Sequence, residues 1–195
     1  QLPVIILVDK YLQESWQSTV PFDTTNLKID RGALLSQEAL TALVEKDGQY
    51  LRHKYTADGI SSRALPGMKN GQHIASSYEH FESGATTEDE LETTKQNDKR
   101  MLKLERFLRE DVVKPKFYGA EDADVTIVGW GSTKLVVLEA LRLATNAGLK
   151  VNYMHFLHIY PLQVDAVRAA FEKTKKTLCV EGNMLGQLEG YLHET

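Results

Sequence analysis

The sequence is poor in the residues that build several common kinds of site. It holds one cysteine, Cys179, in the apolar context Leu178-Cys179-Val180. A single thiol forms no internal disulfide and cannot supply the four thiolates that usually hold an iron–sulfur cluster. The lack of disulfides suits a reducing cytoplasm. No apolar run approaches the roughly 18–20 residues of a membrane-spanning helix, and no signal peptide is visible. A net charge of −4 gives no excess of positive charge for a general nucleic-acid-binding role. There is no G-K-[ST] phosphate loop, no G-x-S-x-G nucleophile elbow, no metal-spacing signature, no internal repeat and no low-complexity tract. What remains is ordinary: 195 residues, 42% hydrophobic and 26% charged, enough for one large domain or one domain plus part of another.

The chain opens with Gln1 and enters Pro3–Val8 at once, an apolar run with no polar alternation. That is the signature of a strand buried on both faces of a parallel sheet. A natural protein rarely begins inside a core strand, so the chain is expected to be a piece of a longer one. Tyr11–Ser18 suits a short helix, and Pro21 begins a connecting arm. Ser36–Glu45 suits a short helix or a loop, and the alternation over Tyr50–Tyr55 predicts an extended strand. "DGISSRALPG", residues 58–67, is a long turn-rich loop, and loops of this kind tend to be functional or disordered.

Residues 87–111 read as a helix. Thr87 is placed to cap it, and Glu88, Asp89 and Glu90 favour the positive end of its dipole. Leu91, Met101, Leu104 and Leu108 form only a thin apolar stripe, which fits a solvated bracing helix. From Asp124 the pattern alternates strand, helix, strand, helix, strand, helix. The strands fall at 124–130, 150–157 and 176–181, the helices at 132–147, 163–174 and 185–193, and Gly148 marks a helix end. Such alternation implies right-handed crossovers, an α/β fold and a parallel sheet, with any site beyond the carboxyl ends of the strands.

Four groups carry candidate chemistry. Gly129-Trp130-Gly131-Ser132-Thr133 joins a strand to a helix and offers free N–H groups to an anion. It lacks the third glycine of a dinucleotide fingerprint, where Leu135 or Val136 falls, so it reads first as a structural turn capped by Ser132 or Thr133. His155 and His158 at a strand end, and His73 and His80 near Glu79 and Glu82, read as ordinary polar histidines. Cys179 reads as a buried strand residue rather than a nucleophile. Asp58 and Arg63 flank the glycine loop. Either they pair and close it, or Arg63 takes a carboxylate or phosphate in bidentate fashion.

A resemblance adds to this reading. "PVIILVDKYL", "DGISSRALPG", "YEHFESGATTED", "NDKRMLKLE", "ADVTIVGWGST" and "VEGNMLGQLEGYL" follow one another in an order that resembles the C-terminal part of the α subunit of 2-oxoacid:ferredoxin oxidoreductases, nearest the 2-oxoglutarate (KorA-like) branch. One departure is Ser62, where the family commonly has proline. The resemblance implies a three-layer αβα fold with a mostly parallel, transketolase C-terminal-like sheet and a long loop-rich linker. It implies the end of a pyrimidine-binding domain over 1–20, the linker over 21–119 and the transketolase C-terminal-like domain, without its final strand, over 120–195.

It further implies oxidative decarboxylation of a 2-oxoacid to acyl-CoA, with electrons passing to ferredoxin. Thiamine diphosphate, magnesium and an iron–sulfur cluster serve in the full complex and none is held by this segment. A β subunit is the partner, and the setting is cytoplasmic. By that resemblance Asp58, Gly59, Ile60, Ser61 and Arg63 shape a 2-oxoacid/CoA pocket, while no catalytic, cofactor-binding or metal-binding residue is expected here. The segment alone is expected to be inactive. Two other readings stay open: a non-catalytic docking module of such a complex, and an independent nucleotide-binding α/β enzyme using Gly129–Thr133.

Overall fold

The structure is a computed structural model that describes Ile5 and residues 8–194. Its elements in order are α1 (Lys10–Glu14), α2 (Gln37–Asp47), α3 (Glu90–Glu110), β1 (Lys116–Gly119), β2 (Val125–Trp130), α4 (Thr133–Asn146), β3 (Val151–Phe156), α5 (Val164–Phe171), β4 (Thr177–Val180) and α6 (Gln187–Glu194). Most of the strand expected over Pro3–Val8 lies outside the described residues; Ile5 and Val8 carry no regular structure. The helix expected over Tyr11–Ser18 starts one residue earlier and stops at Glu14, with Asp9 accepting from the Leu12 N–H as its cap. The chain divides into two compact units, one built on Thr19–Phe107 and the other on residues 108–194 with the segment around α1.

In the first unit, α2 forms where a helix or a loop was expected. Ser36 accepts from the Ala39 N–H at 3.2 Å, and Gly48, at φ +77°, ends the helix in the left-handed conformation that glycine adopts freely. Leu40 is fully buried from this helix against Tyr50 and Ala64. The strand predicted over Tyr50–Tyr55 is not there. Its backbone groups find loop partners instead of a ladder. The His53 N–H donates to the Glu82 carbonyl and the Tyr55 N–H to the Glu82 carboxylate.

Helix α3 corrects the expected one in two ways. Its N-terminus is capped by Asp89, which accepts from the Glu92 N–H at 2.9 Å; Thr87 lies upstream and accepts from the Asp89 N–H. Its expected apolar stripe is only partly covered: Leu91 is 71% and Met101 53% exposed and Leu104 and Leu108 are half-buried, whereas Gln96 and Lys99 are buried. The loop beneath offers carbonyl oxygens, so a polar face is what it can receive.

The second unit is a four-stranded sheet of order β1-β3-β2-β4. β2, β3 and β4 run parallel, as the alternation predicts, and β1 adds an antiparallel edge to β3. β1 was not anticipated, because four residues, "KFYG", are too few to show a period. Alternate residues of β3 serve opposite layers. Val151 and Tyr153 pack with Val137 and Leu141 of α4, and Met154 and Phe156 pack with Val167 of α5 and Leu188 of α6. Each such side chain contributes about 1.5–3 kcal/mol through burial. The result is an α/β fold of three layers, α4, sheet, and α5 with α6. Gly148, at φ +82°, ends α4 in a Schellman motif: its N–H reaches the Thr145 carbonyl and the Leu149 N–H reaches that of Ala144.

Candidate functional site

Within the first unit the loop 58–63 is fastened at each end. Asp58 does not pair with Arg63. Its Oδ1 accepts the Ile60 N–H at 3.0 Å, the chief reason its carboxyl lies below the usual range, and its Oδ2 meets Arg106 at 3.0 Å. Gly59 sits at φ +72°, and a Cβ there would lie 2.2 Å from the carbonyl oxygen of Lys99. Only glycine allows the loop this close to the α3 backbone. Ser61 is buried and donates to the Lys54 carbonyl at 2.8 Å. Tyr50 secures the next residues, accepting from the Ala64 N–H and donating to the Ser62 carbonyl. Ile60 is half-buried between these anchors.

Arg63 is held elsewhere. Its backbone bridges Leu34, with its N–H on the Ala33 carbonyl and its carbonyl accepting from Leu35. Its guanidinium donates through Nη2 to the Arg31 carbonyl at 2.8 Å, and Nε is buried with no partner. The structure therefore brings Asp58, Gly59, Ile60 and Ser61 together against α3, and directs Arg63 to the 31–35 segment.

Sequence reading missed the polar face behind this loop. Gln96, Lys99 and Lys103 follow at the three- and four-residue spacing that lines one side of a helix. Lys99 donates to the His53 carbonyl and stands 5.9 Å from the centre of the Tyr55 ring. Burial, with Lys103 and Arg52 nearby, lowers its ammonium to about 8. Burial likewise lowers Lys103, assisted by Arg52 and Arg100. His53 stacks on His80 with ring centres 3.8 Å apart, and burial and the charges of His80, Arg52 and Lys99 bring it down to about 4. Arg100 is matched by Glu79 and Arg106 by Asp58. Among the described residues Lys99 and Lys103 make no ion pair of this kind, although Glu82 lies near enough to act on Lys99. The available signal was the weak apolar stripe of α3, which left the helix without a greasy side to bury.

In the second unit, the Gly129–Thr133 turn is tight for steric reasons. A Cβ on Gly129 would lie 3.0 Å from the Val180 carbonyl and from Thr133 Oγ1. The expected side-chain cap is absent. Ser132 has helical torsions and gives its hydroxyl to Asp9 Oδ2, and Thr133 donates back to the Trp130 carbonyl at 2.6 Å. His158 accepts the Val113 N–H at 3.1 Å. His155 is buried with neither ring nitrogen partnered. Among the described residues no group of three or more His, Cys, Asp or Glu side chains converges as metal ligands would.

Past β4 the chain is organised by Glu181. Its carboxylate accepts from the Leu188 and Glu189 N–H groups at 2.9 and 3.0 Å and from Asn183 at 2.7 Å. Burial pushes this carboxyl up, but these donors overcome it and hold it at about 2. Cys179, half-buried, donates to the same carboxylate; burial and that acceptor push its thiol up to about 11. A thiol so held is a poor nucleophile.

Comparison with known proteins places these features in a frame. The transketolase C-terminal domain matches residues 118–187. The chain is 34% identical over 194 residues to "2-oxoacid:ferredoxin oxidoreductase 2, subunit alpha" of Aeropyrum pernix, which covers 96% of this chain and 28% of that protein. It is 32% identical over 192 residues to "2-oxoacid:ferredoxin oxidoreductase 1, subunit alpha" of Sulfurisphaera tokodaii, again over 96% of this chain and 28% of the relative. Among solved structures it is similar to the 2-oxoglutarate:ferredoxin oxidoreductase from Magnetococcus marinus with 2-oxoglutarate, coenzyme A and succinyl-CoA bound. The TM-score is 0.67 at 35% identity, over 76% of this chain and 26% of that one. The chain thus spans less than a third of the length of these relatives.

Proposed function

The chain is a homologue of one segment of the α subunits of 2-oxoacid:ferredoxin oxidoreductases, and on that premise we propose that it works as part of such a subunit in an enzyme of the 2-oxoglutarate branch. The solved relative named for 2-oxoglutarate supports the choice of branch. On this reading residues 1–20 close a pyrimidine-binding domain, 21–119 form the linker and 120–195 form the transketolase C-terminal-like domain. The enzyme is cytoplasmic and pairs with a β subunit and ferredoxin. Among the described residues no helix is long and apolar enough to cross a membrane.

Thiamine diphosphate with magnesium would supply the electron sink for decarboxylation in the full complex, and an iron–sulfur cluster there would take up the electrons. The residues of this chain do not fit a cluster: its one thiol is held protonated by burial and by Glu181. Its own contribution is to bind and orient. Asp58, Gly59, Ile60, Ser61 and Arg63 shape the pocket for the 2-oxoacid and coenzyme A, both of them anions.

The observation that carries this reading is the pair of lysines, Lys99 and Lys103, behind a loop that Gly59 locks to the α3 backbone. Arg63, half-buried with Nη2 on the Arg31 carbonyl, adds a guanidinium charge at the end of that loop. The test is Arg63→Ala in the assembled complex, followed by 2-oxoglutarate- and CoA-dependent reduction of a viologen dye. Loss of one charge-assisted hydrogen bond, about 1.5–3 kcal/mol, lowers kcat/KM by roughly ten-fold to over a hundred-fold. Unchanged kinetics with a lowered melting temperature would make Arg63 a brace for residues 31–35 and remove it from the pocket.

A further inference from the structure

The second unit buries a histidine that has nothing to bind. His155 is 4% exposed and lies near the carboxyl end of β3, in register with Gly129 of β2 and Lys116 of β1. A neutral imidazole always presents one donor and one acceptor, and buried groups of this kind are nearly always satisfied. Neither ring nitrogen of His155 has a partner. By the alternation along β3, His155 shares the α4 side of the sheet with Val151 and Tyr153, so it faces the beginning of that helix.

Three further features meet there. Tyr153 is fully buried, and its hydroxyl lies beside the Thr133 hydroxyl of the same turn. It lies at the Gly129 turn, 3.3 Å from where a Cβ on that glycine would stand. Lys134, in the first turn of α4, holds its ammonium 5.4 Å from the centre of the Tyr118 ring, and that ring lies 6.5 Å from the imidazole. α4 is 14 residues long, and no side chain caps its N-terminus. The Lys134 N–H turns back to the Gly131 carbonyl at 3.3 Å, and the positive end of the dipole meets no capping side chain. Lys134 and Lys116 are the charges felt by His155, and after burial itself they hold its pKa below the ordinary value. Asp9 accepts from the Ser132 hydroxyl and leaves the imidazole unpartnered.

From this convergence we propose that the N-terminus of α4 binds a small oxoanion, a carboxylate or phosphate group. Its oxygens accept from the His155 imidazole and the Tyr153 hydroxyl, and Lys134 balances its charge. A cation is excluded by the two lysines and the helix dipole. A dinucleotide is excluded because Leu135, Val136 and Val137 stand where close approach of a pyrophosphate needs small residues. The site lies in the transketolase C-terminal-like unit and does not depend on the pocket proposed above, because binding is read without turnover.

The experiment is calorimetric titration of the intact protein with inorganic phosphate and, separately, with acetate, at constant ionic strength set by chloride. Wild type, Lys134→Ala, Lys134→Arg and His155→Gln are compared, with circular dichroism to establish folding. Saturable binding of phosphate or acetate to wild type is expected, and the stronger of the two identifies the ligand class. Lys134→Ala should weaken it about ten-fold or more, from loss of a charge-assisted contact. Lys134→Arg should retain most of it, and His155→Gln should weaken it too. If His155→Gln does not fold, the Lys134 pair decides alone. No saturable binding in either arm, or equal affinity in wild type and Lys134→Ala, overturns the proposal.

Discussion

Replacing Gly59 by alanine tests how the loop 58–63 is held, and its cost has two separable parts. The backbone there has φ +72°, and an L side chain in the left-handed region costs roughly 1–2 kcal/mol. The added Cβ would also fall 2.2 Å from the Lys99 carbonyl oxygen, with Leu102 Cβ and Lys103 Cγ at 3.2 Å. The obstacle is helix backbone, which cannot swing aside as a flexible side chain does, so overpacking adds about 1–3 kcal/mol. The expected total is about 2–5 kcal/mol. Gly67 provides the control: φ is +90°, but a Cβ there meets nothing within 4 Å. Gly67→Ala should therefore cost only the strain, roughly 1–2 kcal/mol. Urea unfolding of both variants, followed by circular dichroism at 222 nm, measures the difference. If Gly59→Ala is no more destabilising than Gly67→Ala, the loop is not locked to α3 and the reasoning fails.

Three further outcomes follow from the ionisable groups. Glu181 has an ordinary value of 4.5 and a folded value of about 2, so its stabilisation is complete above about pH 4.5 and fades as the pH falls towards 2. Glu181→Gln should flatten that part of the acid-unfolding profile; an unchanged slope would mean the carboxylate does not organise the start of α6. His53 is lowered from 6.5 to about 4, so the unfolded chain binds the extra proton and stability should rise with pH between those values. His53→Leu should remove that rise in melting temperature between pH 4 and 6.5, and a rise that persists would place its origin elsewhere. Cys179, at about 11, should be only about 0.1% thiolate at pH 8 and react with a disulfide reagent some hundred-fold more slowly than a free thiol near 8.5. Labelling at the free-thiol rate in the folded protein would contradict its burial against Glu181.

The parts of the fold that were legible share a local cause. Gly148 after α4 acts through its own torsion, so the signal sits at the residue itself. The alternation over 125–194 is legible because parallel strands and their helices each carry a complete hydrophobic period. Turn chemistry likewise marked the loop 58–67. What could not be read depends on partners distant in the chain. β1 exists because β3 offers it an edge, from Lys116 opposite His155 to Gly119 opposite Asn152. Tyr50–Tyr55 has the period of a strand, but its N–H groups are taken by Glu82.

The candidate sites divide along the same line. The sequence by itself determined that this chain has one thiol, a glycine-marked loop at 58–63, a strand-to-helix turn at 129–133 and the motifs of an oxidoreductase α subunit, because composition and order need no folding to be counted. Only the tertiary structure decided that Asp58 turns to Arg106 and not to Arg63, that α3 buries Gln96 and Lys99 more fully than its leucines, and that His155 comes to rest unpaired at the start of α4. Each of these is a pairing, or a missing pairing, between groups far apart in the chain. The free energy of a buried polar group is set by what lies within hydrogen-bond reach, and that reach is created by folding.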